Sequence, residues 1–364
     1  MDLYNKLLEV SRLFRIEYEY LGYEVIKGGN VHSTYKVNFM LPEGKPKSFL
    51  VQNVNTYAFR NPVGLMDNID KITEHIRAKN PGQLALHFHH TADRKTYVED
   101  GENFWRMTNY VPSVTFNSSS DHTILWNTGR AFGEFQNNLC DFDPSTIIET
   151  IPGFHNTRQR YETFCNSVHA DVMGRADGVR EEIEYLMGVR EQACALTDLL
   201  HKGELPLRVT HNDTKINNVL FHPETGDSLI VIDLDTVMPG LSAYDYGDSI
   251  RFGAATAGEN EPDVSKMELD LHLFEVYTRG FLEAAPALTD LEVMMLPMGA
   301  FVMTLEVGIR FLKDYIDGDI YFRTTAPDQN KIRCRTQLKL VSDMQKKWYQ
   351  MNDIVTKLAA EIRG

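Results

Sequence analysis

The chain has only four cysteines in 364 residues (Cys140, Cys165, Cys194 and Cys334), and none lie at the close spacing of a zinc or redox pair. Thiolate metal chemistry is thereby set aside, and four thiols in a reducing cytosol is the plain reading. Positive charge is also scarce. Against 51 Asp and Glu stand 37 Lys and Arg, a formal net charge of −14. This balance argues against nucleic acid or an anionic membrane as partner and leaves a cationic small molecule open. Long apolar runs are missing too. The longest, residues 293–305, carries Pro297 and reads as a buried helix, too short for a bilayer span. The N-terminal Met-Asp-Leu-Tyr-Asn-Lys has no apolar core of signal-peptide type, and no internal repeat or low-complexity tract is visible. The expectation is a cytoplasmic protein, monomeric by preference, with one large or two modest domains.

What is present concentrates in residues 209–221. His211, Asp213, Lys215 and Asn218 fall in a tight register, and an apolar run at 229–232 leads into Asp233-Leu234-Asp235. A short loop between strand-like flanks can turn those four side chains to one point. That set is what phosphoryl transfer from a nucleotide requires. One carboxylate orients the attacking hydroxyl, an amide oxygen and a second carboxylate hold a cation over the phosphates, and a lysine offsets charge. Asp213 is the expected base and Lys215 the charge-stabilising group, with Asn218 and Asp233 as ligands for Mg²⁺, which favours hard oxygen donors. The H-x-D-x-K-x-x-N spacing, followed by a strand and an aspartate, matches the kinase catalytic-loop pattern.

This block, His211-Asn-Asp213-Thr-Lys215-Ile-Asn-Asn218 with Val231-Ile-Asp233, resembles the superfamily of aminoglycoside, choline and homoserine kinases. Three further blocks resemble the N-acetylhexosamine 1-kinases more narrowly. They are Ile151-Pro-Gly-Phe-His155-Asn-Thr157, Asp245-Tyr-Gly-Asp248-Ser-Ile-Arg251, and the stretch from Arg310 through Gly318 to Tyr321. The likeness runs over nearly the whole chain. It implies an α+β, protein-kinase-like two-lobed fold, with ATP and Mg²⁺ as cofactors and a small-molecule sugar as acceptor. The small N-lobe, an antiparallel sheet with one or two helices, would cover residues 1–110. A larger, mainly helical C-lobe would cover 111–364, with a hinge near 107–112.

On that frame the pattern predicts a helix over 3–20 and strands at 23–26 and 34–39 flanking Lys27-Gly28-Gly29-Asn30. In a kinase that turn covers the nucleotide, its glycines letting backbone amides approach phosphate; by itself it is equally a plain hairpin turn. His32 points either at the acceptor or into solvent. The strand 49–54 carries Gln52 where kinases carry the phosphate-binding lysine; as a nucleotide-binding candidate its amide can hydrogen-bond phosphate but cannot neutralise it. Either Lys215, Lys36 or the metal compensates, or nucleotide binding is loose. A helix follows through Leu65, Ile69, Ile72 and Ile76, with Glu74 read as a surface charge. Strands at 84–89, 96–98 and 103–111 then close a five-stranded sheet. His87, His89 and His90 alternate along a strand and make a poor metal site. Thr108, Asn109 and Tyr110 belong to the hinge that would pair with adenine.

Helices are expected from 121 to 139, from 174 to 202, and over 264–284, 289–315 and 329–361. Asp245 or Asp248 reads better as a brace for the catalytic loop than as a metal ligand. By resemblance, His155 or Asn156 contacts or braces the sugar pocket, and Tyr321 stands beside Arg310. Phe252 is either a platform for the sugar ring or core. Arg310 either donates to the N-acetyl carbonyl and ring hydroxyls or pairs with Asp314 one turn away. A rival of another class is an inactive nucleotide-binding scaffold, for which the loss of the lysine at Gln52 speaks.

Overall fold

The computed structural model describes residues 2–26 and 31–364. The chain divides into two compact units. The first comprises Met1–Ser113, Ser145–Thr150 and Ile232–Met238, and the second Val114–Pro144, Ile151–Val231 and Pro239–Gly364.

In the first unit Asp2 caps helix α1 (Leu3–Leu13) by accepting from the Asn5 amide. The helix expected to reach residue 20 stops at Leu13, because Arg15 takes a left-handed φ of 65° and turns the chain into a strand. The elements that follow are β1 (Glu19–Ile26), β2 (Ser33–Met40), β3 (Pro46–Asn53), α2 (Pro62–Lys79), β4 (Val98–Asp100) and β5 (Asn103–Asn109). They form a five-stranded antiparallel sheet in the order β1-β2-β3-β5-β4. Alternate residues face inward: Val37 and Phe39, Phe49 and Val51, Trp105 and Met107 bury against Leu7 and Val10 of α1 and against Phe14 just beyond it. Residues 84–89 make no strand. They supply only a bridge from Phe88 to Thr108, on β5 beyond the residues that β4 pairs.

Helix α2 buries Leu65, Met66, Ile69 and Ile72, and its Asn68 explains the two outlying segments of this unit. The Asn68 side chain donates to the carbonyls of Ile148 (2.7 Å) and Val237 (3.3 Å) and accepts from the Ile148 amide (3.0 Å). One buried amide thus ties both segments to the helix.

The second unit is mainly helical. Asp121 caps α3 (His122–Asn138), as the sequence suggests, and α4 (Thr157–Ala170) follows. The long helix expected over 174–202 is instead α5 (Arg180–Gly188), α6 (Arg190–Ala193) and α7 (Ala195–His201), interrupted at Val189 and Cys194. Four short strands come next: β6 (Arg208–Thr210), β7 (Val219–Phe221), β8 (Ser228–Val231) and β9 (Met238–Gly240). Helix α8 (Ser242–Gly253) leads to α9 (Leu271–Ala284), which starts later than expected because Asp270 caps it. The helix expected over 289–315 divides into α10 (Asp290–Met294) and α11 (Leu296–Asp317) just before Pro297, whose missing N–H suits a first turn. Likewise α12 (Gln329–Lys346) and α13 (Trp348–Arg363) break at Lys347.

Helix α8 is buried on almost every side, so it is a central helix rather than a surface one. It crosses α11 at two glycines. A Cβ on Gly247 would run into the Gly299 carbonyl, and one on Gly299 into the Ala243 carbonyl. Backbone meets backbone there, so neither neighbour can rotate aside. Gly247→Ala is therefore expected to destabilise the protein by about 1–3 kcal/mol, the usual cost of overpacking. The measurement is the apparent Tm of purified variant and parent. An unchanged Tm would mean that the crossing is looser than described.

Candidate active site

Strand β6 ends at Thr210, and the loop from His211 to Lys215 runs into a 3₁₀ turn (Ile216–Asn218) and β7. His211 is fully buried, its ring 5.5 Å from Phe132 and 5.7 Å from Phe135. Asn212 holds a left-handed φ of 63°. Asp245 of α8 supports this backbone: its Oδ2 accepts from the His211 amide and its Oδ1 from the Asn212 amide, both at 2.8 Å. Gln136 donates to Oδ2 as well, at 2.5 Å. Burial pushes the Asp245 carboxyl upward in pKa, and His211, the two amides and Gln136 oppose it. Asp248, one turn on, accepts from the Thr214 amide at 3.1 Å and is held by Arg251 at 2.8 Å. The bracing expected of an aspartate in this block is shared by both.

The loop so fixed presents Asp213. Lys215 Nζ lies 2.8 Å from its Oδ1, and Asn218 Nδ2 donates to its Oδ2 at 3.0 Å and to its carbonyl at 2.8 Å. Burial works against the Lys215 charge, but Asp213 and Asp248 outweigh it and raise the pKa, so the ammonium persists. Because Asn218 donates through its nitrogen, its amide oxygen is the atom it can offer a cation. Among the described residues no three His, Cys, Asp or Glu side chains gather into a metal-binding group. An amide and a single carboxylate suit Mg²⁺, which commonly takes one or two protein oxygens and completes its shell with phosphate and water.

A second group lies on the same unit. Glu306 of α11 is buried and gathers His155 Nδ1 at 2.9 Å, Thr157 Oγ1 at 2.6 Å and Arg160 Nε at 3.3 Å. Burial would raise the Glu306 pKa, yet His155, Arg160 and Thr157 hold it below the usual value. His155 stacks at 4.9 Å on Tyr244, the residue before Asp245, and its Nε2 is buried without a hydrogen-bond partner. The electrostatic pull of His155 reaches Asp248, as does that of Lys215. These two groups therefore adjoin. Arg310 packs over Phe154 and Tyr321, each at 5.7 Å, and over Phe322 at 5.3 Å. Asp314 is not its partner, because that carboxylate accepts from the amides of Ile320, Tyr321 and Phe322. Tyr321 is 71% exposed. Phe252 lies half-buried, with the Arg251 guanidinium at 3.9 Å and Lys215 Nζ at 5.7 Å from its ring.

The remaining predicted residues belong to the first unit. Gly28, Gly29 and Asn30 lie outside the described residues. Thr108 pairs with Leu50 and Asn109 with Phe49 across β3 and β5, and Tyr110 lies under Lys36 Nζ at 4.9 Å. His89 bonds Asn109, His90 pairs with Asp70 and His87 with Arg77, so each of these rings has its own partner. Gln52 accepts from Arg106 Nε at 2.9 Å, and His32 Nε2 meets Asp235 Oδ2 at 2.6 Å. Asp233 adopts a left-handed φ of 62°.

The sequence reading gave no role to several charges that the fold buries, among them Arg106, Asp235, Arg251 and Glu306. A signal existed for two of them. Arg106 interrupts an otherwise buried strand, and Glu306 is the lone charge within the apolar first half of α11. Each needed a partner that only the fold supplies.

Solved structures share this architecture at low identity. An aminoglycoside phosphotransferase from Alicyclobacillus acidocaldarius is 12% identical, with a TM-score of 0.64 and 96% of each chain covered. A spectinomycin phosphotransferase in complex with ADP and spectinomycin is also 12% identical, with a TM-score of 0.58 over 96% of this chain and 99% of that one. An ethanolamine kinase from Plasmodium vivax is 14% identical, with a TM-score of 0.53 over 89% and 84%. These likenesses show a kinase-like fold, α+β, with a small antiparallel-sheet unit and a larger helical one. The family model described as phosphotransferase enzyme family, APH, matches residues 66–278. With the braced Asp213 loop inside that match, the chain belongs to the phosphotransferase enzyme family.

Proposed function

We propose that this protein transfers the γ-phosphoryl group of ATP to the anomeric C1 hydroxyl of an N-acetylhexosamine, giving the sugar 1-phosphate and ADP. The observation that carries the phosphotransfer is Asp213 with a lysine on one carboxylate oxygen and an asparagine amide on the other, on a loop braced from behind by Asp245. Asp213 orients the C1 hydroxyl and receives its proton. In a loose transition state this positioning counts for more than base strength. Lys215 offsets charge on the transferring group. Asn218 and Asp233 each offer one oxygen to Mg²⁺, which when bound would neutralise the phosphates. Thr108, Asn109 and Tyr110 are assigned to the adenine, and Gly28, Gly29 and Asn30, outside the described residues, to the phosphates. The domain assignment goes with this reading, an N-lobe over 1–110 and a C-lobe over 111–364.

The acceptor assignment rests on the resemblance and is supported by the charge around Glu306. Two guanidinium groups, Arg160 and Arg310, stand near enough to repel each other, and the one carboxylate among them is engaged by His155, Thr157 and Arg160. A neutral acceptor with a carbonyl and hydroxyls fits such donors. An ammonium acceptor, which the net charge of −14 would favour, meets cations there. Arg310 is assigned to the N-acetyl carbonyl or a ring hydroxyl, Tyr321 and Phe252 to the sugar faces, and His155 through its unpartnered Nε2 to a hydroxyl.

Asp213→Asn is expected to fold, to bind nucleotide, and to lose about 10²–10⁴-fold in kcat. Retention of wild-type kcat would remove Asp213 as the base. For the acceptor, ADP release is measured with MgATP and N-acetylglucosamine, N-acetylgalactosamine, choline, ethanolamine or an aminoglycoside. An N-acetylhexosamine should give the highest kcat/KM, and its phosphate ester should be acid-labile as an anomeric phosphate is. Higher turnover of an amine would overturn the acceptor, and no ADP with any of them would favour an inactive scaffold. Arg310→Ala should raise KM for the sugar about 10–100-fold and leave KM for ATP unchanged, as for loss of a hydrogen bond from a charged donor.

A further inference from the structure

Where kinases carry the strand lysine, the first unit holds a row of bonded polar side chains. Thr34, Gln52 and Arg106 are direct cross-strand partners on β2, β3 and β5, so their side chains share one face of the sheet. Gln52 Nε2 donates to Thr34 Oγ1 at 3.1 Å, and Gln52 Oε1 accepts from Arg106 Nε at 2.9 Å. Both ends of the amide are spent, and its oxygen aims the guanidinium. Arg106 then grips Asp235 through both terminal nitrogens, Nη1 on Oδ1 and Nη2 on Oδ2, the second at 2.9 Å. His32 completes the row. Its Nδ1 accepts from the Asn55 amide at 3.0 Å, which leaves the proton on Nε2, donated to Asp235.

The Arg106 and Asp235 side chains are each only 3% exposed. Burial works against the Arg106 charge, but Asp235, with Asp233 adding, outweighs it and holds the guanidinium ionised. Asp235 is the middle residue of a 3₁₀ turn (Leu234–Thr236) entered from Asp233, which is in the left-handed region with φ 62° and ψ 58°. A non-glycine residue there costs roughly 1–2 kcal/mol and persists where its surroundings hold it. The following residues supply the hold, since Leu234 and Val237 are buried and Asp235 is fixed by two cationic or donor side chains.

We propose that Arg106 is a positioning residue: aimed by Gln52, which stands where kinases carry the phosphate-binding lysine, it fixes Asp235 and thereby sets Asp233 in the conformation that meets the metal. It does not contact phosphate, because its Nε and both terminal nitrogens are already engaged in a buried site. This inference rests on the phosphotransfer reading, and on Asp233 as a metal ligand in particular. A lysine at 106 would keep the charge but lose the two-pronged grip and the contact to Gln52.

The test is Arg106→Lys, with Mn²⁺ as the probe. Mn²⁺ affinity in the presence of ADP is read by electron paramagnetic resonance, ADP affinity without divalent ion by calorimetry, and kcat and KM with MgATP. Expected is a loss of about 10–100-fold in Mn²⁺ affinity and in kcat, the range seen when a group supporting a metal ligand is removed. Metal-free ADP affinity and KM for the acceptor should stay as in the parent. Gln52→Leu should show the same pattern more weakly, and Gln52→Glu, which keeps an oxygen on Arg106 Nε, should largely restore it. Should Arg106→Lys fail to fold, His32→Gln carries the same readout. Unchanged Mn²⁺ affinity in a folded variant would overturn the proposal. So would an equal loss of metal-free ADP affinity, the mark of direct phosphate contact. The metal titration needs no acceptor, so wild-type protein that binds Mn²⁺ and ADP but phosphorylates nothing would sink the functional reading alone.

Discussion

The second unit depends on one buried carboxylate, Asp245, accepting the consecutive amides of His211 and Asn212. A charge removed from water must be met by hydrogen bonds, or its burial costs more than the fold can spare. Here three donors meet it, two of them from the loop it serves. The same bonds satisfy amides that a left-handed Asn212 takes out of any regular ladder. The constraint propagates in both directions. Backwards, it requires α8 to lie deep, which the glycine crossing with α11 allows by bringing the two backbones together. Forwards, it fixes the turn that presents Asp213 between Lys215 and Asn218.

Asp235 does for the first unit what Asp245 does for the second, with a different set of donors. Asp245 relies on amides and a neutral glutamine, and burial raises its pKa. Asp235 relies on a guanidinium and a histidine, and there the opposite charge outweighs burial and holds the pKa well below the ordinary carboxylate value. Replacing such a pair with apolar residues is often neutral for stability, so stability alone does not account for it. What the pair adds is a fixed direction for the backbone next to Asp233.

Much of this was legible in the sequence. The 211–218 register is local, and its spacing alone puts Asp213, Lys215 and Asn218 on one loop. The alternation in β2, β3 and β5 and the helical spacing in α2 follow equally from period. Boundaries were less legible. Helix α1 stopped short because Arg15 takes a left-handed turn that no periodicity announces, and of residues 84–89 only Phe88 bridges β5. Least legible were Arg106–Asp235 and His155–Glu306, because partners separated by 129 and 151 residues leave no spacing to read. Gln52 is the instructive case. Read alone it is a missing lysine, whereas beside its cross-strand partner it is the residue that aims a cation already present.

Net charge shows the same difference between a whole-chain quantity and a local one. At −14, the molecule as a whole attracts cations, and long-range attraction of that kind speeds the approach of a charged ligand. Residence at a site is decided within a few ångströms, where screening is weakest and the immediate groups dominate. Around Glu306 those groups are Arg160, Arg310 and His155, and Arg160 is depressed in pKa by burial and by Arg310 even with a carboxylate at 3.3 Å. On the acceptor reading proposed above, the groups beside Glu306 favour lone pairs over a further ammonium, and a carbonyl and a ring of hydroxyls supply them without adding a charge to be desolvated.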